Sequence, residues 1–198
     1  MRRKTSVADD SRLLVEKGES HWKPKNVALK QLFTVGYEGS ELAAFLATLS
    51  RLEIHQVIDV RELPLSRKRG FSKHALADAL KGKGIAYTHL KALGDPKPGR
   101  EAARRGEFTE FRRIYRQHLR KVASQEALMT AAVLAGKRRS SLLCFERDPV
   151  NCHRSIIAAD LADRWNFSVV HVGVHDKVIR LKNQDVQHGD GHGAHPIW

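Results

Sequence analysis

The sequence predicts an α/β fold: a three-layer sandwich with a mostly parallel central sheet of about five strands. Short apolar runs alternate along the chain with longer stretches of helical periodicity. The segments between the runs are long enough to cross over a sheet, which is the connection that parallel strands need. No internal repeat is visible, and no apolar stretch is long enough to cross a bilayer.

Five apolar runs, bounded by glycine or polar residues, are predicted to be the strands: 32–35, 57–60, 85–88, 141–145 and 168–172. Ser40, Ser72 and Asn151 precede three apolar-periodic stretches, and we expect each of them to cap a helix. These predicted caps place the helices directly after the strands and loops from which a site would be built.

The stretch between the third and fourth strands carries the longest helical pattern. Residues 107–135 are predicted to form two helices that are broken near Ser124. The glycine- and proline-containing stretch from Leu93 to Arg100 is predicted to be a loop.

The ends of the chain differ from its middle. Residues 1–30 are polar and basic, and we expect a mobile arm there; residues 183–198 are rich in glycine and histidine and are predicted to be disordered. A single α/β domain is predicted over residues 31–182, which is long enough to bury a core without a disulfide or a metal. No apolar secretory segment follows the basic N-terminus, so we expect a cytoplasmic protein without a membrane partner, whose two cysteines are reduced.

The formal net charge of +13 is the strongest compositional signal. Such a surface attracts polyanions through its long-range field and through counterion release, although it would also serve solubility alone. The predicted helices between strands three and four carry arginines that we expect to bind nucleic acid in a salt-sensitive way: Arg104, Arg105, Arg112, Arg113, Arg116 and Arg120. At helical spacing, Arg105, Arg112 and Arg116 lie on roughly one face.

Unusual polar residues follow the predicted strands. Because the carboxyl ends of parallel strands lie at one edge of a sheet, and ligands bind there in open α/β sheets, these side chains are predicted to form a common pocket. The candidates are Tyr37, Glu38, Asp59, Arg61, Arg67, Lys73, Glu146, Cys152, His153 and Arg154.

The same residues carry a family resemblance. The blocks concerned are Thr34–Tyr37, Asp59–Arg61 with Pro64 and Ser66–Arg67, Gly70–Lys73, Leu143–Glu146 and Cys152–Arg154. In this order they resemble the motifs of the bacterial and archaeal family designated domain of unknown function 488, over about residues 31–172. The resemblance implies an α/β fold and the positions of the motifs, and it implies no reaction.

Arg61, Arg67 and Arg154 indicate an anionic ligand, because the planar guanidinium matches phosphate or carboxylate bidentately. Arg154 is predicted in the first turn of a helix, where the amino end already favours anions. The alternative is structural: Arg61 would pair with Asp59, and Arg154 with Glu146. Tyr37 and Lys73 are further candidate ligand-binding residues, and Tyr37 would either stack on a base together with Phe71 or pack in the core.

Four residues are candidates for catalysis. Glu38 and Glu146 would form an acid/base pair, unless they only neutralise the arginines. Cys152 opens the predicted last helix, whose amino end favours a thiolate, and His153 would assist it; the alternative is a cysteine that merely packs.

Zinc-compatible side chains are also present, namely Cys144, Cys152, His153 and His89. Adjacent cysteine and histidine residues rarely bind one metal together, and no paired short-spaced cysteine motif exists, so we predict no metal site. The sequence also contains no dinucleotide fingerprint and no Walker-type loop, and therefore identifies no cofactor.

Three functions are consistent with the sequence. The first is an enzyme whose partner is a phosphate-bearing small molecule or nucleic acid held at the sheet's carboxyl edge. The second is a non-catalytic nucleic-acid-binding module that depends on the basic helices. The third is a sensor for a small anion.

Overall fold

The computed structural model describes residues 30–174, which form five strands and six α-helices. The strands are β1 (Lys30–Gly36), β2 (Gln56–Asp59), β3 (Ala86–His89), β4 (Ser140–Cys144) and β5 (Phe167–Val172). The helices are α1 (Leu42–Arg51), α2 (Lys73–Lys81), α3 (Lys97–Arg104), α4 (Phe108–Leu119), α5 (Val122–Lys137) and α6 (His153–Trp165). Apart from Lys30, the predicted arm and the predicted tail lie outside the described residues. No helix within residues 30–174 has the length and apolar character needed to cross a membrane.

The predicted fold class is confirmed. All four strand pairings are parallel, and the five strands are ordered β3-β2-β4-β1-β5. Successive side chains on a strand point to opposite faces, and here both faces are buried. In β1, for example, Leu32 packs into one hydrophobic cluster and Phe33 into the other.

Helices cover both faces of the sheet. On one face α1 and α2 pack Phe45, Leu49 and Leu76 against β1, β2 and β4. On the other face lie α4, α5 and α6, whose buried side chains include Leu128 and Leu161. The structure is therefore a three-layer sandwich, with the sheet between two layers of helices.

The strand order creates a switch point between β1 and β4. The chain leaves β1 towards β2 and leaves β4 towards β5, so two neighbouring strands send their connections in opposite directions along the sheet. Open α/β sheets bind ligands outside the carboxyl ends of the strands at such a point. The topology thus selects the ends of β1 and β4 as the place to look for a site.

The predicted helix caps need correction. Glu41, not Ser40, is the N-cap of α1, and Cys152, not Asn151, is the N-cap of α6. Ser72 occupies the N-cap position of α2, but its hydroxyl bonds the backbone of Ser66 instead of the helix.

The region between β3 and β4 contains more helix than predicted. The expected loop over 93–100 begins at the last residue of a 3₁₀ turn, Lys91–Leu93, and contains the first half of α3. The break between the two long helices lies at residues 120–121, between α4 and α5, and not near Ser124, which is buried inside α5.

Candidate functional site

A cavity of about 730 Å³ opens above the switch point. Tyr37 lines it from the end of β1, Arg61 from the end of β2, and Cys144 from the end of β4. The β2–α2 loop and α3 supply the remaining walls. The cavity therefore lies where the topology places a ligand.

Two thiols, a carboxylate and an imidazole lie together at the floor: Cys144, Glu146 and His153 line the cavity, and Cys152 is buried behind them. The Sγ atoms of Cys144 and Cys152 lie 2.9 and 3.1 Å from the same carboxylate oxygen, Oε2 of Glu146. The Nδ1 atom of His153 lies 3.8 Å from the sulfur of Cys144 and 4.0 Å from that of Cys152. Both cysteines and His153 are buried, whereas Glu146 is partly exposed to the cavity.

The floor groups perturb one another's ionisation. Burial raises the pKa of Glu146 to about 6, and the charge on Cys152 acts in the same direction. Burial lowers the pKa of His153, but the charges on Cys152 and Glu146 outweigh it and raise the pKa to about 9. Burial raises the pKa of Cys144; the pKa of Cys152 is lowered, because a bond from Cys144 and the nearby His153 outweigh burial. The floor thus favours one thiolate paired with an imidazolium.

Asp95 is a second carboxyl group in the wall. It is buried, and its Oδ1 atom has no hydrogen-bond partner within residues 30–174. Burial raises its pKa to about 7, against a smaller opposing effect of His153. A buried carboxyl oxygen without a partner is costly to the fold, and its position beside a cavity makes Asp95 a candidate functional residue.

The rim of the cavity combines cationic and apolar side chains. Arg67, Lys68, Arg100 and Arg104 supply the positive charge. Arg100 is paired with Glu62 and Lys68 with Glu41, whereas Arg67 and Arg104 form no ion pair within the described part of the chain. Three exposed apolar side chains face the same space: Leu63, Leu65 and Phe145.

Arg61 lines the cavity but is largely committed to the fold. Its Nε and Nη2 atoms hold the buried carboxylate of Asp59, at distances of 2.6 to 3.1 Å. Its Nη1 atom donates to the Tyr37 hydroxyl and to the Phe71 carbonyl, each at 2.9 Å. Asp59 also accepts a bond of 2.6 Å from the Tyr87 hydroxyl. The geometry therefore supports the structural alternative for Arg61, in which it pairs with Asp59.

Arg154 lies behind the floor and does not line the cavity. Its side chain is fully buried, and its guanidinium donates to the backbone carbonyls of Glu146 and Arg147 and to the Thr34 hydroxyl. The expected ion pair with the Glu146 carboxylate is absent from residues 30–174, because the guanidinium meets the carbonyl of that residue instead. Arg154 thus holds the chain after β4 in place, and Gly36 permits this path, since a Cβ there would lie 1.7 Å from the Glu146 carbonyl.

Two other candidates, Glu38 and Lys73, lie outside the cavity lining, and Tyr37 lines the cavity without offering a free ring face. Glu38 is exposed, and its carboxylate accepts a bond from the Arg147 backbone N–H, so it does not face Glu146 across the cavity. Lys73 is exposed and lies outside the cavity lining. Tyr37 and Phe71 stack on each other with ring centroids 4.3 Å apart and are buried, which leaves neither ring face free for a base.

The arginines predicted on one helical face lie on two helices. Arg105 ends α3, and Gly106, with φ of 78°, breaks the chain before α4 begins. Exposed carboxylates pair with two of these arginines, Glu107 with Arg105 at 2.8 Å and Glu110 with Arg113 at 2.7 Å. Arg112 and Arg116 remain on α4, one turn apart, and Arg120 caps its end.

Sequence reasoning missed several residues of the cavity. Arg100 and Arg104 line it from α3, whose first half was predicted to be a loop, and Asp95 lines it from just before that helix; Arg104 was predicted only as a nucleic-acid-binding residue. Phe145 was treated only as the last residue of a strand, although its position directly after β4 carried the same signal as Glu146.

Comparison with known proteins identifies the family. The model described as "Domain of unknown function DUF488" matches residues 41–161, which is more than half of the chain. The chain belongs to this family. The DUF488 match contains the blocks from Asp59 to Lys73, Leu143 to Glu146 and Cys152 to Arg154, and it begins after β1. No curated protein and no solved structure matches the chain.

Proposed function

We propose that this protein is an enzyme that binds a nucleotide-like ligand in the cavity and acts on it with the groups of the floor. The observation that carries the proposal is the composition of the rim. Two arginines without ion-pair partners in residues 30–174, Arg67 and Arg104, share one cavity with the exposed apolar side chains of Leu63, Leu65 and Phe145. A phosphate joined to an aromatic or apolar group satisfies both kinds of surface at once.

The rim favours phosphate over a neutral ligand. Five arginine and lysine side chains line the cavity, and Glu62, Asp95 and Glu146 are the acidic ones. Arg61, Lys68 and Arg100 are already paired with carboxylates, so Arg67 and Arg104 are the two that the ligand can engage. Guanidinium groups bind phosphate oxygens through two parallel bonds, which fixes the orientation of the phosphate as well as its affinity.

The floor supplies proton transfer. Glu146 faces the cavity, and burial raises its pKa to about 6, which suits a group that takes up and releases protons near neutral pH. Cys152 has about 1% of its surface exposed, so the ligand reaches Glu146 before it reaches that sulfur. We therefore assign proton transfer to Glu146 and give Cys152 no nucleophilic role.

A thermal-shift titration tests the binding. The probes are adenosine monophosphate, inorganic phosphate and adenosine, and the stabilisation of a true site grows with the logarithm of ligand concentration. We expect the nucleotide to stabilise the parent most, phosphate less and the nucleoside least. The Arg67→Gln/Arg104→Gln double variant should lose the preference for the nucleotide.

The Arg105→Gln/Arg113→Gln double variant is the matched control, because it removes the same charge from arginines outside the cavity lining. Incubation with a panel of nucleotides, followed by chromatography, tests turnover, which the Glu146→Gln variant should abolish. Equal melting of the parent with and without each probe would overturn the proposal.

A nucleic-acid-binding module is the second candidate. The net charge of +13 supports it, together with the exposed Arg116 and half-buried Arg112 on α4. In that case, DNA or RNA would bind with a steep salt dependence, and mononucleotides would leave the melting temperature unchanged.

A further inference from the structure

Four metal-ligating side chains converge on one point at the floor of the cavity. The ligand atoms of Cys144, Glu146, Cys152 and His153 all lie within 4.8 Å of one another. We propose that these residues bind a zinc ion. The proposal goes beyond the proposed function, because it concerns what the floor holds and does not depend on which ligand the rim selects. The proton-transfer role of Glu146 applies to the metal-free floor, since a zinc-bound carboxylate stays ionised.

The spacing of the cluster fits tetrahedral zinc. Bonds of about 2.3 Å to sulfur and about 2.0 Å to nitrogen or oxygen place neighbouring ligand atoms about 3.3 to 3.8 Å apart. Nδ1 of His153 lies 3.8 and 4.0 Å from the two sulfurs, and Oε2 of Glu146 lies 2.9 and 3.1 Å from them. All four ligand atoms lie within 4.8 Å of one another, so side-chain shifts of about an ångström would bring them to bonding distance.

The backbone explains how two adjacent residues can serve one ion. Side chains of consecutive residues in a regular helix point about 100° apart. Cys152, however, is the N-cap of α6 and is extended, with φ of −125° and ψ of 139°, whereas His153 is the first helical residue. This change of conformation brings both side chains to the same side, which removes the main argument from sequence against a metal.

A hydrogen bond to the backbone orients His153 for coordination through Nδ1. The Nε2 atom of His153 lies 2.8 Å from the Val60 carbonyl, so it carries the proton and donates there. Loss of the other imidazolium proton on metal binding makes Nδ1 the lone-pair nitrogen. It lies 3.8 and 4.0 Å from the two sulfurs, and Nε2 lies 3.9 Å from that of Cys144. Zinc-bound histidines usually donate their other ring N–H to a carbonyl or carboxylate, which fixes the tautomer and the ring plane.

The electrostatic surroundings suit an anionic ligand set. The backbone N–H of Arg154 points at the Cys152 sulfur at 3.5 Å. The buried guanidinium of Arg154 donates to backbone carbonyls and has no carboxylate partner among the described residues. Two thiolates and one carboxylate around Zn²⁺ leave one net negative charge, which this arginine offsets. Binding releases the proton of the remaining thiol and one proton of the imidazolium to solvent and involves no oxidation or reduction.

Cobalt substitution tests the site directly. The apoprotein, prepared under reducing conditions with a chelator, is titrated with Co²⁺ and then with Zn²⁺. We expect one cobalt per chain, with thiolate-to-cobalt charge transfer in the near ultraviolet and tetrahedral d–d bands in the visible, both displaced by zinc. Cys144 and Cys152 are the only cysteines in the chain, so the charge-transfer signal cannot come from elsewhere.

Variants assign the ligands. Cys144→Ser and Cys152→Ser should each retain about half of the charge-transfer intensity, since each removes one of two thiolates. His153→Asn should weaken zinc binding by about tenfold or more, whereas His118→Asn, which removes a half-buried imidazole outside the cluster, should leave it unchanged. If a serine variant fails to fold, the titration of the parent alone still decides.

Two outcomes would overturn the proposal. One is a folded, reduced parent with two titratable thiols that gives no thiolate-to-cobalt band at any metal concentration. The other is a metal signal that is unchanged in His153→Asn but lost when His188, His192 and His195 are replaced by glutamine. The nucleotide titration, with variants at Arg67 and Arg104, is read separately, so the failure of one proposal does not imply the failure of the other.

Discussion

Replacing Arg154 with methionine separates a structural arginine from a ligand-binding one. Methionine keeps most of the apolar volume of the side chain and removes the guanidinium. In the parent, that guanidinium bonds the carbonyls of Glu146 and Arg147, the latter at 2.9 Å, and the Thr34 hydroxyl at 3.4 Å. The variant therefore leaves two partly buried backbone carbonyls without their donor, whereas the Thr34 hydroxyl keeps its contact of 2.7 Å with Nδ1 of His171.

The magnitude follows from those lost bonds. A buried polar group that loses its partner costs about 1 to 3 kcal/mol, and bonds to a charged donor lie at the upper end of that range. Removing the burial cost of the charge itself offsets part of the loss. We expect Arg154→Met to lower the free energy of unfolding by about 3 to 5 kcal/mol, which is a large fraction of the stability of a typical domain.

Urea unfolding, followed by circular dichroism, measures this loss. The midpoint should fall while the slope of free energy against urea stays the same, because the surface exposed on unfolding hardly changes. Arg164→Met is the control: it changes an exposed arginine of the same helix, which contacts Gln125 and Trp165, and should cost less than about 1 kcal/mol. If the free energy of unfolding of Arg154→Met lay within about 1 kcal/mol of the parent's and phosphate no longer stabilised the variant, the reasoning would be refuted. Arg154 would then be a ligand-binding residue.

Two further predictions concern Asp95 and the basic helices. Burial raises the pKa of Asp95 from 3.8 to about 7, so the parent loses stability as the pH rises through that range, and Asp95→Asn, which carries no charge at any pH, does not. Urea unfolding with a chelator present compares the free energies of unfolding of the variant and the parent. The two should be equal at about pH 4, and the variant should be more stable by up to about 4 kcal/mol at about pH 8, at about 1.4 kcal/mol for each pKa unit. An equal gain at both pH values would contradict this account. If nucleic acid binds, replacing Arg112 and Arg116 with glutamine should reduce the salt slope by about two, or one for each lost phosphate contact. Replacing the ion-paired Arg105 and Arg113 should reduce it less, and binding that ignores salt would rule out this surface.

The fold was predictable because the strands of a parallel sheet carry a strong local signal. Each strand is a short apolar run, and the helices that cover the two faces leave amphipathic patterns between the runs. The carboxyl edge was also predictable, since it requires only the position of each residue relative to its strand. That rule correctly brought Tyr37, Arg61, Glu146 and His153 to one cavity.

The helix α3 was missed for a local reason. Its first turn contains Pro98 and Gly99, a pair that usually marks a turn, but proline is tolerated in the first turn because its missing N–H needs no partner there. Gly99 is needed because a Cβ at this position would lie 2.2 Å from Oδ1 of Asp95. Because of this error, Arg100 was not predicted to face the site.

The partners of buried polar groups could not be predicted from the sequence. Arg154 was expected to meet a ligand or a carboxylate, and only the path of the chain after β4 reveals that backbone carbonyls occupy its donors. Likewise, the convergence of Cys152 and His153 depends on one extended residue at a helix start, which no spacing rule encodes. Contacts of this kind are set by tertiary structure and not by local pattern.

A crystal structure of the full chain grown with adenosine monophosphate is the most direct test of the central claim, that the switch point between β1 and β4 is a ligand site. We predict that the phosphate lies against Arg67 and Arg104, with the base beside Phe145 and the ligand above Glu146. Nucleotide density on the arginines of α4 instead, with the cavity filled only by water, would contradict the account.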